Sequence, residues 1–110
     1  MSLQKFYLSE KIGTTVKEKA LALFAALNES EIIGYCIASA DKNKGEIDSL
    51  YIKEQFRNHG LGAKLMSTAL SWLRELPLSS IQVYVAEGNE EALGFYRKFG
   101  FKDRFHVLQL

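Results

Sequence analysis

Arg57-Asn58-His59-Gly60-Leu61-Gly62-Ala63 stands between a strand-like stretch, Glu46 to Ile52, and an amphipathic helix that begins near Leu61. A glycine-rich turn that feeds a helix is a natural anion site. The first N–H groups of a helix have no intrahelical acceptor, and the macrodipole adds partial positive charge there. Gly60 and Gly62 lack the Cβ atoms that would hold a phosphate away from those amides. Arg57 adds a permanent charge on forked donors, and His59 is read as a turn residue whose backbone N–H faces the anion. A lone G-x-G is equally compatible with a strand-to-helix turn that merely needs glycine, so its surroundings decide.

Working outward, Leu61, Leu65, Met66, Ala69, Leu70, Leu73 and Leu76 recur at helical spacing, with Lys64, Ser67, Ser71 and Arg74 off that face. Trp72 sits at the edge of the stripe as a packing residue, and Pro77 stops the helix. Ile81, Val83 and Val85 alternate with Gln82 and Tyr84, which reads as a strand. Asn89 can cap a second helix, with Glu90 and Glu91 at its positive end, Arg97 and Lys98 at its negative end, and Gly100 at C′. Phe101 to Leu110 reads as a closing strand. Upstream, Ile32 to Ser39 reads as a buried strand that turns through Asp41-Lys42-Asn43-Lys44-Gly45, with glycine where a hairpin needs it, into Glu46 to Ile52. In Thr15 to Leu27 the Ala and Leu content favours helix by propensity. The order is βββαβαβ after an irregular or helical N-terminus, an α/β domain around one mixed sheet.

The 110 residues are expected to form a single domain, 1–110, and the net charge of +1 gives no electrostatic reason to expect nucleic acid or a membrane as partner. The one cysteine, Cys36, excludes an intramolecular disulfide and fits a reducing cytoplasm; in its apolar run it reads as a buried hydrophobe. No stretch has the length of a membrane span, no signal-peptide pattern opens the chain, and neither His59 nor His106 has a partner at metal-site spacing.

A second motif follows the first: Asn89-Glu90-Glu91-Ala92-Leu93-Gly94-Phe95-Tyr96-Arg97-Lys98-Phe99-Gly100-Phe101. Together the two resemble the GNAT N-acetyltransferase superfamily, whose members carry (Q/R)-x-x-G-x-(G/A) between a strand and a helix, then a strand, then N-x-x-A-x-x-F-Y-x-x-x-G-F. Arg57, Gly60 and Gly62 fill the first pattern; Asn89, Ala92, Phe95, Tyr96, Gly100 and Phe101 fill the second. The resemblance covers Ile32 to Phe101, the cofactor-binding half. It implies a GNAT-like acyl-CoA N-acyltransferase fold, acetyl-CoA as acyl donor, no metal, and transfer to an amine by direct attack in a ternary complex. It also favours a strand at Leu23 to Leu27, with a helix giving way to it and a hairpin through Asn28-Glu29-Ser30-Glu31.

The resemblance implies further that strands Leu50–Ile52 and Val83–Ala86 splay apart, and that the pantetheine arm bonds to free backbone groups of Leu50 and Ile52. The pyrophosphate would rest on Arg57, Asn58, His59, Gly60, Leu61, Gly62 and Ala63. Tyr96 matches the tyrosine that protonates the departing thiolate; a phenol with a pKa of about 10 suits that task. As a residue it is equally a core aromatic. Asn89 bonds the pantetheine arm, caps its helix, or both. Glu46 matches the base glutamate of the histone-acetylating branch, and Asp48 would share its face on an unbulged strand, so that their proximity raises one pKa toward the working range; the alternative is a solvated pair near a hairpin end. Asn58 replaces the usual glycine, and Asn tolerates a left-handed backbone. Residues 1–31 are fewer than typical relatives have, so the acceptor half is expected to be reduced: open, completed by a second subunit in a homodimer, or missing through truncation. A non-catalytic CoA-binding or regulatory module is the alternative function.

Overall fold

In the computed structural model, residues 2–7, 19–86, 88–104 and 108–110 are described. The chain runs β1 (Ser2–Tyr7), β2 (Ala20–Asn28), β3 (Glu31–Asp41), β4 (Lys44–Ile52), a 3-10 turn (Glu54–Phe56), α1 (Leu61–Arg74), β5 (Ser80–Val83) and α2 (Glu90–Lys98). Among the described residues the strands form one sheet in the order β1-β2-β3-β4-β5. The first four pair antiparallel and β5 joins β4 in parallel, with α1 as the crossover. This is the mixed α/β sheet read from the sequence, with β1 added before it.

The alanine-rich stretch corrects the expectation of a helix yielding to a strand near Leu23. Ala20 is already in β2; the helical expectation for residues 15–18 lies outside the described residues. Propensity loses because both edges of β2 are paired, to β1 from Ala22 to Leu27 and to β3 along its whole length. Its small side chains also suit the position. Ala20, Ala22, Ala25 and Ala26 are all fully buried, on both faces of the strand.

The apolar stripe of α1 packs on this surface. Leu65, Met66 and Leu73 are sealed against Phe24, Ile33, Cys36 and the alanines, and the Trp72 ring meets Phe24 edge-on at 6.1 Å. Gly45 is a packing residue of β4, not a turn residue as expected. The turn is Lys42–Asn43, and a Cβ on Gly45 would stand 2.8 Å from Leu78 Cδ1 and 3.0 Å from Leu73 Cδ2. Asn43 then ties the hairpin to the start of β5 through two bonds with Ser79.

The expected closing strand is a second correction. Neither 101–104 nor 108–110 is strand, and residues 105–107, including His106, lie outside the described residues. After Gly100 (φ +96°) the chain folds back on α2 instead. The Phe101 ring lies 5.9 Å from that of Tyr96, and Asp103 takes both its carboxylate bonds from Arg97. Those contacts hold the segment against the helix and away from the sheet edge.

Candidate active site

β4 divides the sheet into a closed and an open part. It pairs with β5 only from Lys44↔Ser80 to Ile47↔Val83. Beyond that point β4 continues to Ile52 while residues 84–86 leave the sheet, so Leu50 and Ile52 border a gap. A β-bulge marks the divide: Ile37 pairs with Ser49 and Ala38 with Ile47, leaving Asp48 as the extra residue. The unbulged strand assumed for Glu46 and Asp48 is therefore corrected.

The chain leaves the open end through the 3-10 turn and enters α1 by a strained loop. Asn58 sits at φ +65° and Gly60, the N-cap, at φ +80°. The left-handed backbone expected of Asn58 is present, and Gly60 removes the steric cost at the second position. The N-cap supplies no side-chain acceptor, and the first helical bond runs from Lys64 N–H to Gly60 C=O. The amides of Leu61, Gly62 and Ala63 therefore have no intramolecular acceptor among the described residues. A Cβ on Gly60 would meet nothing within 4 Å, so the space beside the N-cap is open. Gly62 lies beside Ile52 and Phe95, which joins the loop to α2. Open helix amides on the rim of an unpaired strand end fit a phosphate group and an extended arm, so the residues present fit coenzyme A.

The charged side chains near the loop differ in commitment. Arg57 Nε donates to the Ile52 carbonyl at 2.7 Å, so one backbone group expected to face the pantetheine arm already has a partner. Lys53 is paired with Glu31. His59 is exposed in the turn. Asn89 caps α2, its Oδ1 accepting from Ala92 N–H at 3.2 Å, which leaves its side-chain amide for another partner.

Tyr96 on α2 is half-buried between the rings of Phe95 and Phe101. Burial, and secondarily the Cys36 thiol, push its phenol above the usual value, so it stays protonated at neutral pH. Cys36 is buried beneath, its thiol pushed up to about 12 by burial and then by the Asp48 charge. Glu46 is raised by burial, by its contact with the Asp48 carboxyl, and by that group's charge, against an opposing pull from Lys19. Glu46 and Asp48 thus interact despite the bulge. Sequence reasoning did not connect Cys36 electrostatically with Asp48 and Tyr96, nor Tyr51 with Arg57. Neither link lies within one motif, and motif spacing carries no signal for them.

Among the described residues no three His, Cys, Asp or Glu side chains group as metal ligands, and no helix is long and apolar enough to cross a membrane.

Comparison with known proteins gives consistent relatives. The profile of the acetyltransferase (GNAT) family matches residues 3–101. A probable N-acetyltransferase of Mycobacterium tuberculosis is 29% identical over 106 residues, covering 94% of this chain and 57% of that protein. The peptidyl-lysine N-acetyltransferase of Escherichia coli is 37% identical over 81 residues, covering 73% of this chain and 49% of that protein. The chain thus spans about half the length of the curated relatives it matches. An aminoglycoside N-acetyltransferase solved with CoA superposes with a TM-score of 0.72 at 18% identity, over 82% of this chain and 74% of that one, and so shares the fold.

Proposed function

The chain belongs to the acetyltransferase (GNAT) family, and on that premise we propose that it moves an acetyl group from acetyl-CoA to an amine by direct attack in a ternary complex. The observation that carries the reading is the coincidence of two openings. Among the described residues the amides of Leu61, Gly62 and Ala63 have no acceptor where β4 has lost its β5 neighbour, so one ligand can use both. Arg57, Asn58, His59 and Gly60 complete the loop for the pyrophosphate. Leu50, Ile52 and the free amide of Asn89 serve the pantetheine arm.

In the transfer, the amine nitrogen bonds to the thioester carbonyl carbon and the carbon–sulfur bond breaks. Tyr96 gives its proton to the departing thiolate. The amine proton passes to the Glu46–Asp48 pair, directly or through water. A backbone amide in the gap donates to the carbonyl oxygen as it gains charge. A covalent acyl-cysteine is disfavoured, because a thiol held near 12 supplies almost no thiolate at neutral pH.

Calorimetric titration of acetyl-CoA into the chain, beside Arg57→Ala, tests the reading. Micromolar binding that weakens about tenfold in the variant is expected, the size of a charged hydrogen bond. A folded chain that does not bind would end it. The second reading, a CoA-binding or regulatory module without turnover, draws on the chain spanning about half of its relatives' length. Binding without transfer to any of a panel of amines would favour it. The acceptor is left at the level of an amine. Two finer points belong to the same reading. A homodimer would cover the outer edge of β1, and light scattering across a concentration range that gives only monomer would exclude it. A reducing cytoplasm suits a chain whose one cysteine is buried.

A further inference from the structure

Tyr51 lies in β4 between Leu50 and Ile52 yet is 43% exposed, and its ring pairs with that of its cross-strand partner Tyr35 at 5.7 Å. The Arg57 guanidinium carbon stands 5.8 Å from the centroid of the Tyr51 ring, within range of a cation–π contact. The same side chain is fixed at Nε by the Ile52 carbonyl at 2.7 Å. A surface arginine ordinarily samples many rotamers and gives up that freedom when it binds an anion. Here two adjacent residues of one strand restrict it beforehand, Ile52 through its carbonyl and Tyr51 through its ring. Neither Nη nitrogen has a hydrogen-bond or ion-pair partner among the described residues, so the outer part of the fork is available.

We propose that Tyr51 is a positioning residue for the cofactor: with the Ile52 carbonyl it holds Arg57 so that its Nη groups are presented to the phosphates bound at the start of α1. The inference rests on the reading of this loop as the coenzyme A cradle and adds a residue that the motif does not contain. Tyr51 touches no ligand; it acts through Arg57. The Tyr35–Tyr51 pair backs the ring on the side of β3, which keeps it in place under the guanidinium.

The test is calorimetric titration of coenzyme A into the full chain and four variants: Tyr51→Leu, Tyr51→Phe, Arg57→Ala and the Tyr51→Leu/Arg57→Ala double. An exposed cation–π contact corresponds to about a two- to fivefold weakening in Tyr51→Leu. Tyr51→Phe keeps the ring and should bind as the wild type does. In the Arg57→Ala background the leucine change should add nothing, because its effect passes through the missing side chain. An equal loss in both backgrounds, or a Tyr51→Phe protein as weak as Tyr51→Leu, would overturn the proposal. Nitrogen-15 resonances of the ligand-free wild type separate this from the cradle itself. A slowly exchanging Arg57 Nε–H in a protein that does not bind coenzyme A would overturn the cradle. A freely exchanging one in a protein that does bind would overturn only the role given to Tyr51.

Discussion

The two halves of β4 are built differently. From Lys44 to Ile47 the strand is paired on both sides, and its side chains are used for packing: Ile47 is 2% exposed, and Gly45 gives its missing Cβ to Leu73 and Leu78. From Ser49 to Ile52 it is paired with β3 alone, and Leu50 and Ile52 are only partly covered. The bulge at Asp48 separates the halves. Stability is concentrated where every backbone group is matched, and the groups that can take a ligand lie where the matching stops. A change to the packing residues Gly45 and Ile47 should therefore act on folding and a change in the second half on chemistry, with Glu46, the base proposed above, as the exception in the first half.

The largest effect should come from Phe24→Ala. Phe24 is 1% exposed and holds Trp72 edge-on, so truncation leaves a cavity beneath α1. A loss of about 3–5 kcal/mol is expected in denaturant unfolding, with coenzyme A affinity unchanged for the folded fraction. Weakened binding by that fraction would mean that the packing beneath α1 is not separable from the cofactor site.

Tyr96→Phe is the complementary change. The ring and its contacts with Phe95 and Phe101 remain, so stability should hold while kcat falls by about a hundredfold, the lower range for a lost general acid. Because burial raises the Tyr96 phenol, the alkaline limb of kcat should lie above the ordinary phenol range and vanish in the variant. A normal rate in Tyr96→Phe would remove the proposed acid.

Legibility in the sequence follows the same divide, for a physical reason. Helix α1, its glycine entry, the cap at Asn89 and the C′ Gly100 were readable because each is a local rule of spacing or backbone conformation. The strand at Leu23–Leu27 is present, but β2 begins before it, at Ala20, because local propensity favours helix there while pairing decides for strand. The expected closing strand failed for a similar reason, since Arg97 and Asp103 draw the chain to α2. In the site, the loop residues were readable as a motif. The bulge at Asp48 was not, because alternation in the sequence looks the same whether or not a residue is skipped. Nor were the contact of Tyr51 with Arg57 or the charge coupling of Cys36 with Asp48 and Tyr96.

The bulge offers a finer test of the divide. Burial raises the Glu46 carboxyl, and the neighbouring Asp48 adds to it by contact and charge. If Glu46 is the base, activity should rise with pH along a limb displaced above the ordinary carboxylate range. Asp48→Asn removes the charge and should move that limb to lower pH, without the loss of plateau rate that Tyr96→Phe causes. The stability term has its own sign. An acid whose folded pKa is raised contributes stability that is present at low pH and lost as pH rises through that value. Asp48→Asn should therefore flatten the decline that sets in above the ordinary Glu range. An unmoved limb would mean that water or another group takes the amine proton.

The smallest expected effect is at the β2–β3 hairpin, which lies level with the open end of β4, Glu31 being paired with Lys53. Asn28 pairs with Glu31 across a two-residue turn in which Glu29 (φ 51°) and Ser30 (φ 72°) are both left-handed. That is the shape of a type I′ turn, whose twist suits a hairpin but whose second position favours glycine. Ser30→Gly relieves roughly 1 kcal/mol of left-handed strain and costs roughly 0.5 kcal/mol in added freedom of the unfolded chain. The balance is a gain of about 0.5 kcal/mol, or a few degrees in Tm for a domain of this size. Coenzyme A affinity should not move, because the turn lies on the β3 side of β4, away from the edge that β5 has left. A gain in stability accompanied by altered binding would show that the hairpin is coupled to the open end of β4 through Glu31 and Lys53.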